Sequence, residues 1–229
     1  MTAPADLERA RYNMIEQQIR PWDVLDLDVL GLLHEVRREE FVPLAHKALA
    51  FVDMEIPLLP NTEEAMRKGC SMLPPRVEAR LLQDVAPKGH EKVLEIGTGS
   101  GYMAALLASR AQRVITLELH PELARFAREN LQQAGLRNVE VREADGARGL
   151  AAEGPFDAIL LSGSVHEVPQ VLLQQLKVGG RLVAIVGDAP MMRTTVFTRT
   201  GEAQWESKQP WDTVAPRLAN FPEASRFHF

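Results

Sequence analysis

From residue 93 onward, short apolar runs alternate with longer amphipathic segments. Each apolar run is short enough for one buried strand, and these runs fall near residues 93–96, 113–117, 138–143, 156–161 and 181–186. The segments between them predict helices near residues 102–109, 121–134 and 168–176. Alternation of strands and helices favours right-handed crossovers and a parallel sheet that is covered on both faces.

The end of this region follows a different pattern. The segments 194–199 and 203–206 lie on either side of Gly201, which predicts a closing antiparallel hairpin. Residues 209–229 contain prolines and aromatic side chains without a clear period, so they yield no predicted element.

The first 88 residues place their apolar side chains mainly at helical spacing. This spacing predicts helices over residues 6–19 and 26–37, and a further helix that begins at Pro75, since proline suits the first helical position. We therefore expect an N-terminal helical segment over residues 1–88 and a strand–helix domain over residues 89–229. The two are expected to form one compact unit.

The most informative stretch lies at the end of the first predicted strand of this domain. The apolar run breaks into three glycines at alternate positions, Gly97, Gly99 and Gly101, and a helix-forming run follows at once. Glycine lets the backbone turn sharply and approach a ligand without a Cβ in the way. A helix N-terminus adds free N–H groups, so this stretch predicts a nucleotide-sized cradle.

The spacing of these glycines narrows the choice of ligand. Dinucleotide sites follow the pattern G-x-G-x-x-G, whereas here the third glycine comes one residue early. No Lys followed by Ser or Thr comes after the loop, which excludes the triphosphate P-loop. A nicotinamide oxidoreductase is therefore disfavoured.

Acidic residues follow the next two predicted strands. Glu118 ends the second strand, roughly 20 residues beyond the loop, where an acid can accept hydrogen bonds from ribose hydroxyls. Asp145 follows the third strand, where it could meet an adenine amino group. Each acid alone is more typical of a solvated strand end or a turn. Their succession after a glycine loop favours a nucleoside site.

Composition bounds the remaining possibilities. The 229 residues include 45% apolar and 25% charged side chains, as in an ordinary soluble globular protein. The net charge of −5 argues against nucleic-acid and membrane partners. Cys70 is the single cysteine, and the six histidines show no metal-binding spacing, so no metal is predicted. The N-terminus lacks the apolar core of a secretion signal; we expect a cytoplasmic protein that is a monomer or weak dimer.

The order of these motifs resembles that of the Rossmann-like S-adenosylmethionine-dependent methyltransferases. More narrowly, the chain resembles the protein-L-isoaspartate O-methyltransferases over roughly residues 10–200. The stretches that carry this likeness are VLEIGTGSGY at 93–102, GPFDAILLSGSVHEVP at 154–169, LKVGGRLVAIVG at 176–187, MIEQQIR at 14–20 and VRREEFVP at 36–43.

The resemblance implies an α/β fold with a doubly wound, mostly parallel seven-stranded sheet, an N-terminal helical extension and a C-terminal antiparallel hairpin. It also implies S-adenosylmethionine as cofactor, with the first three strand ends holding methionine, ribose and adenine in turn. The residues assigned to the cofactor on this basis are Glu95, Gly97, Thr98, Gly99, Ser100, Gly101, Glu118, Leu119, Asp145, Gly146 and Ser162.

The family orients its substrate partly through a loop of pattern Thr-Ile-Ser-x-Pro. The matching stretch here is Ser71 to Pro75, in which the first hydroxyl survives as Ser71 and the second is replaced by Leu73. Ser71 is therefore the candidate catalytic residue. Loss of a hydroxyl that faces a substrate carboxylate typically costs ~1–3 kcal/mol, so the acceptor is open to question.

The resemblance implies carboxyl O-methylation of isoaspartyl residues in damaged proteins or peptides, after which the ester collapses to a succinimide. Two alternatives stay open: a methyltransferase with a different acceptor, and a cofactor-binding protein without turnover. Cys70 is more typical of a small buried residue than of a nucleophile, and His166 of a surface loop. Arg20 and Trp22 either help the N-terminal segment to cover the site or only anchor it.

Overall fold

The structure is a computed structural model that describes residues 4–223. Its helices are α1 (Pro4–Met14), α2 (Leu27–Glu35), α3 (Thr62–Lys68), α4 (Pro75–Val85), α5 (Tyr102–Ala108), α6 (Pro121–Gln133) and α7 (Gln170–Leu173). Its strands are β1 (Ile56–Pro57), β2 (Ser71–Met72), β3 (Lys92–Ile96), β4 (Arg113–Glu118), β5 (Val139–Glu143), β6 (Phe156–Val165), β7 (Leu176–Asp188), β8 (Met191–Gly201) and β9 (Gln204–Asp212).

Seven strands form the main sheet, in the order β5-β4-β3-β6-β7-β8-β9. The pairs from β5 to β7 are parallel, and the pairs β7–β8 and β8–β9 are antiparallel. The predicted mostly parallel seven-stranded sheet with a closing hairpin is thus confirmed. The strand order reverses between β3 and β6, and such a reversal opens a ligand crevice at the carboxyl ends of the strands.

Side chains on the parallel strands alternate between two apolar clusters. Val93 and Val114 face a cluster that includes the N-terminal segment, α4 and α5. Leu94 and Ile115 face the other cluster, which α7 and Phe221 help to close. Both faces of the sheet are therefore covered, as the continuous apolar runs of the sequence predict for parallel strands.

Two predicted helices differ from the structure at their ends. The helix predicted over 168–176 is limited to α7, because β7 begins already at Leu176, which pairs with Phe156 on β6. The helix predicted over 6–19 is α-helical only to Met14; residues Ile15–Ile19 form a π-helical turn before the break at Pro21.

A buried arginine ties the N-terminal segment to the rest of the protein. Arg38 is fully buried and donates hydrogen bonds to the carbonyls of Ala50 (3.0 Å) and Leu73 (2.7 Å). It also forms an ion pair with Glu78 on α4, and its guanidinium carbon lies 5.2 Å from the centre of the Tyr102 ring. One cation thereby joins the loop at Leu73, α4 and the start of α5.

After β9, the C-terminal segment (residues 213–223) crosses the carboxyl ends of the parallel strands. The Ser164 N–H donates to the Pro216 carbonyl (2.7 Å), and the Leu218 N–H donates to the Ser164 carbonyl (2.9 Å). Further along, the Asn220 amide donates to the Asp145 carboxylate (2.9 Å). The part of the chain that yields no prediction from its sequence therefore borders the expected site.

Between residues 4 and 223, no helix combines the length and the apolar character that crossing a bilayer requires.

Replacement of Arg38 tests the importance of the buried cation. In Arg38→Met the Glu78 carboxylate loses its partner while it stays buried, so we expect the free energy of unfolding to fall by ~3–5 kcal/mol. Arg37→Met is the matched control, because the Arg37 side chain is 58% exposed and, among residues 4–223, pairs only with Glu40 at 3.3 Å. The loss of stability in this variant is expected to stay below ~1 kcal/mol. Urea unfolding measures both, and equal losses would contradict this role for Arg38.

Candidate active site

The glycine loop turns directly from β3 into α5. Gly97 has φ +95°, and a Cβ on it would lie 2.9 Å from a methyl group of Leu218. Gly101 has φ +85° and caps α5; a Cβ there would lie 3.3 Å from Ala127 on α6. Gly97 therefore lets Leu218 pack directly on the backbone of the loop, whereas Gly101 allows α5 and α6 to approach each other.

A buried glutamate lies beneath this loop. One carboxylate oxygen of Glu95 accepts a hydrogen bond from the Ser162 hydroxyl (2.7 Å), and the other accepts one from the Thr116 hydroxyl (2.7 Å). The Thr98 hydroxyl lies 2.6 Å from that of Thr116 and extends the network into the loop. Burial raises the pKa of Glu95 to about 7, and the nearby Glu118 charge adds to the rise, while the two hydroxyls oppose it.

Glu118 connects the end of β4 to the glycine loop. One of its carboxylate oxygens accepts from the Gly99 N–H (2.8 Å), and the other accepts from the His120 N–H (2.9 Å). Burial raises the pKa of Glu118, and these two N–H groups counteract part of the rise. Each oxygen keeps a second lone pair, so the carboxylate can still accept hydrogen bonds from a pair of ribose hydroxyls.

Asp145 and Gly146 form the turn after β5. The Asp145 carboxylate accepts from the Ala147 N–H (2.9 Å) and from the Asn220 side-chain amide (2.9 Å). The amide is a donor of the same kind as an adenine amino group. Gly146 packs directly on β3, where a Cβ would lie 2.3 Å from a methyl group of Ile96.

One cavity joins these strand ends. It has a volume of about 80 Å³, and Leu218 and Phe221 of the C-terminal segment take up part of the space above the strands. The predicted residues that line it are Ser71, Gly97, Gly99, Glu118, Leu119, Asp145, Gly146 and Ser162. A smaller adjoining cavity is lined by Ser71, Glu95, Thr98, Ser100 and Ser162, among others. Gly101 lies outside both linings, against α6.

The groups that line the cavity fit an adenosyl sulfonium. Gly97 and Gly99 expose bare backbone against which the methionyl portion could lie in place of Leu218, and the carboxylates of Glu118 and Asp145 offer acceptors for hydroxyl and amino groups. Within the described part of the chain, no group of three or more His, Cys, Asp or Glu side chains is arranged to hold a metal ion.

Ser71 lies on the wall that the two cavities share. It is half-buried, and its hydroxyl donates to the Glu55 carboxylate (2.8 Å). Its neighbour Cys70 also lines the larger cavity, where burial raises the pKa of the thiol to about 11. Cys70 therefore stays a neutral thiol at physiological pH, in agreement with its interpretation as a small buried residue.

Sequence reasoning missed several residues of the cavity wall. They come from the stretch between β1 and β2 and from the C-terminal segment: Leu58, Lys68, Gly69, Arg217, Leu218, Ala219 and Phe221. The sequence pattern predicts no element in either stretch, so no sequence signal placed these residues at the site.

Comparisons with known proteins identify relatives over most of the chain. A family model described as Protein-L-isoaspartate(D-aspartate) O-methyltransferase matches residues 9–214. Protein-L-isoaspartate O-methyltransferase 1 of Syntrophobacter fumaroxidans is 42% identical over 183 residues, which cover 80% of this chain and 82% of the relative. The protein-L-isoaspartate O-methyltransferase of Koribacter versatilis is 40% identical over 214 residues, which cover 93% and 92%.

Solved structures show the same fold. A protein-L-isoaspartate O-methyltransferase superposes with a TM-score of 0.74 and 23% identity over 92% of this chain and 65% of its own. A putative enzyme of that name from Plasmodium falciparum, in complex with S-adenosyl-L-homocysteine, gives a TM-score of 0.72 and 19% identity over 92% and 97%.

The raised pKa of Glu95 predicts how stability depends on pH. Between the usual glutamate pKa of about 4.3 and the native value of about 7, the folded protein holds one more proton than the unfolded chain. The contribution of Glu95 to the free energy of unfolding therefore falls as pH rises through this window and levels off above about pH 7.

Glu95→Gln removes this titration. Between about pH 5 and pH 8, we expect the native protein to lose ~2–3 kcal/mol more stability than the variant. Urea unfolding at both pH values measures the difference. Equal losses in the two proteins would show that Glu95 does not hold its proton near neutral pH.

Proposed function

Because the chain belongs to the protein-L-isoaspartate O-methyltransferase family, we propose that it transfers the methyl group of S-adenosylmethionine to the carboxylate of L-isoaspartyl residues in damaged proteins. The observation that supports this most strongly is that Ser71 of the substrate loop lines the same cavity as the glycine loop, Glu118 and Asp145. This shared lining supports a site in which the residues proposed for the acceptor and those proposed for the cofactor lie at one edge of the sheet. The cytoplasmic location and the monomeric or weakly dimeric state stay predictions.

The cofactor-binding residues each have a distinct task in this proposal. The backbone at Gly97 and Gly99 lies against the methionyl portion, Glu118 accepts hydrogen bonds from the ribose hydroxyls, and Asp145 accepts one from the adenine amino group. When bound, S-adenosylmethionine supplies a methyl group that is already activated by the positive sulfur. Each Asp145 oxygen accepts one hydrogen bond in the structure and keeps a second lone pair, so the adenine amino group could bind beside the Asn220 amide or in its place.

The acceptor needs no general base from the protein. A carboxylate is ionised at neutral pH and is already the nucleophile. The contribution of the chain is to align the carboxylate with the methyl group and to exclude water, which can account for most of the rate advantage. Ser71 suits this role, since its hydroxyl can exchange the Glu55 carboxylate for that of the substrate.

The structure explains why position 73 carries a leucine where the family pattern has a hydroxyl-bearing serine. Leu73 is 5% exposed and belongs to the apolar cluster beneath the N-terminal segment, while its carbonyl accepts a hydrogen bond from Arg38. The side chain therefore contributes packing. Backbone N–H groups or other hydroxyls have to supply the second donor to the acceptor carboxylate, or a different acceptor is used.

The proposed activity is tested with labelled S-adenosylmethionine and two peptides that differ only in an isoaspartyl or aspartyl linkage. We expect label on the isoaspartyl peptide alone, because its free carboxylate is attached directly to the Cα atom, whereas that of the aspartyl peptide is one carbon further out on the side chain. Titration calorimetry with S-adenosylhomocysteine accompanies the assay. Binding without transfer to the isoaspartyl peptide would favour a different acceptor or a non-catalytic protein, and absence of binding would refute the cofactor site.

Glu118→Gln tests the assignment of the ribose site. The Gln side chain has one acceptor oxygen for two N–H donors, those of Gly99 and His120, and its own NH2 group would face one of them. We expect the Kd for S-adenosylhomocysteine to rise at least tenfold, which is ~1.4 kcal/mol. Glu143→Gln is the matched control, because Glu143 pairs with Glu118 in the sheet register but is exposed and outside the cavity lining. Equal Kd changes in both variants would contradict the assignment.

A further inference from the structure

A second cavity lies where the start of α4, the β7–β8 turn and the end of β9 meet. Its volume is about 480 Å³, and its wall combines aromatic, cationic and apolar side chains. We name it the tryptophan groove after its principal lining residues, which are Trp22, Arg76, Arg80, Met191, Arg193 and Trp211.

The groove adjoins the candidate active site along three separate segments of chain. Pro74 of the groove wall follows Ser71 of the site by three residues. Val214 of the groove precedes Arg217 of the site by three residues. In both cases the chain can span at most about 11 Å, so the two walls are close together.

The third connection runs through the turn after β7. Pro190 lines the groove, and Asp188, two residues earlier, holds Arg217 of the site wall in an ion pair (2.6 Å). The antiparallel hairpin places the start of β8 and the end of β9 at the same edge, because Arg193 pairs with Asp212. The groove therefore continues the carboxyl edge of the sheet at which the cofactor residues converge.

The charge of the groove differs from that of the chain. Three arginines and one acidic residue, Asp212, line it, although the whole chain carries a net charge of −5. Arg76 pairs with Asp53 and Arg193 with Asp212, each at 3.1 Å. The guanidinium carbon of Arg80 instead lies 4.7 Å from the centre of the Trp211 ring. The buried Nε of Arg80 has no hydrogen-bond partner in the described structure.

Apolar side chains stand at the rim of the same groove. Met191 is 82% exposed, Val214 51% and Trp22 44%, and Arg76 covers the Trp22 ring at 3.9 Å. The Trp211 indole N–H donates to Asp84 behind the groove (2.7 Å), which fixes the ring. Rigid aromatic faces, exposed apolar side chains and cations together suit an extended polypeptide that carries carboxylates.

We propose that the tryptophan groove binds the polypeptide that flanks the isoaspartyl residue, and that it favours flanks with acidic side chains. This inference rests on the proposed function, which requires a polypeptide substrate. A polypeptide whose carboxylate meets Ser71 continues out of the cavity on both sides. At about 3.3–3.6 Å per residue, positions two to four residues away reach the groove wall.

The experiment compares two isoaspartyl heptapeptides that carry either glutamate or lysine two and three residues from the central isoaspartyl residue. KM and kcat are measured with the full chain and labelled S-adenosylmethionine. We expect KM to be about fivefold lower for the glutamate peptide than for the lysine peptide. This ratio of the two KM values (the KM ratio) should shrink towards one as the salt concentration increases. The two kcat values should stay similar, because the groove does not touch the reacting atoms.

Single variants localise the effect. Arg80→Gln should reduce the KM ratio towards one, and Met191→Glu, which adds a negative charge at an exposed position, should reverse it. Met191→Lys should increase it. Arg128→Glu is the control, since Arg128 is exposed on α6, away from the groove lining, and should leave the ratio unchanged. Thermal unfolding verifies that each variant is folded.

The outcomes separate the two proposals. Methylation of both peptides with equal KM, or a ratio that Arg80→Gln and Met191→Glu leave unchanged, would overturn the groove assignment while the proposed function stands. If neither peptide is methylated, the proposed function is refuted, and the groove assignment with it. Equal KM values together with a dimer that Met191→Glu dissociates would assign the groove to a second copy of the chain.

Discussion

The parallel pairing of β3 with both β4 and β6 is the constraint on which the site depends. In this register Glu95 lies opposite Thr116 and Leu160, so its carboxylate is buried between hydroxyl-bearing strands. The same pairing brings the glycine loop and Glu118 to one edge, where the Gly99 N–H and the carboxylate meet at 2.8 Å. An isolated buried carboxylate is costly, but here each oxygen has a donor.

The N-terminal segment completes the site through Arg38. This cation is held by two carbonyls and Glu78, and burial lowers its pKa, which reflects the cost of removing its charge from water. Because one of those carbonyls belongs to Leu73, the position of the substrate loop depends on an arginine more than thirty residues earlier in the chain. Packing of the N-terminal segment and placement of Ser71 are thus coupled.

The sequence predicts those features that local spacing determines. The glycine loop, Glu118 and Asp145 could be assigned because each follows a recognisable apolar strand, and the hairpin because Gly201 separates two suitable segments. The short α7 could not, since β7 starts early through a long-range pairing of Leu176 with Phe156. The C-terminal segment has no period, and its place over the site depends on backbone hydrogen bonds to Ser164. The role of Gly101 against α6 likewise depends on a neighbour that spacing does not reveal.

The distribution of charge around the site suits two ligands of opposite sign. Glu118 and Asp145 line the cavity, and their negative charges favour a cofactor that carries a positive sulfur and a positive amino group. The same acids repel a carboxylate substrate. Glu95 adds only part of a negative charge to this repulsion, because its pKa of about 7 keeps a fraction of the molecules protonated there at neutral pH. Arg80 supplies the opposite charge in the adjoining tryptophan groove. Under the two proposals, an anionic polypeptide would be attracted to the groove while the cationic cofactor would be held in the cavity, so that one edge of the sheet would accommodate both reactants.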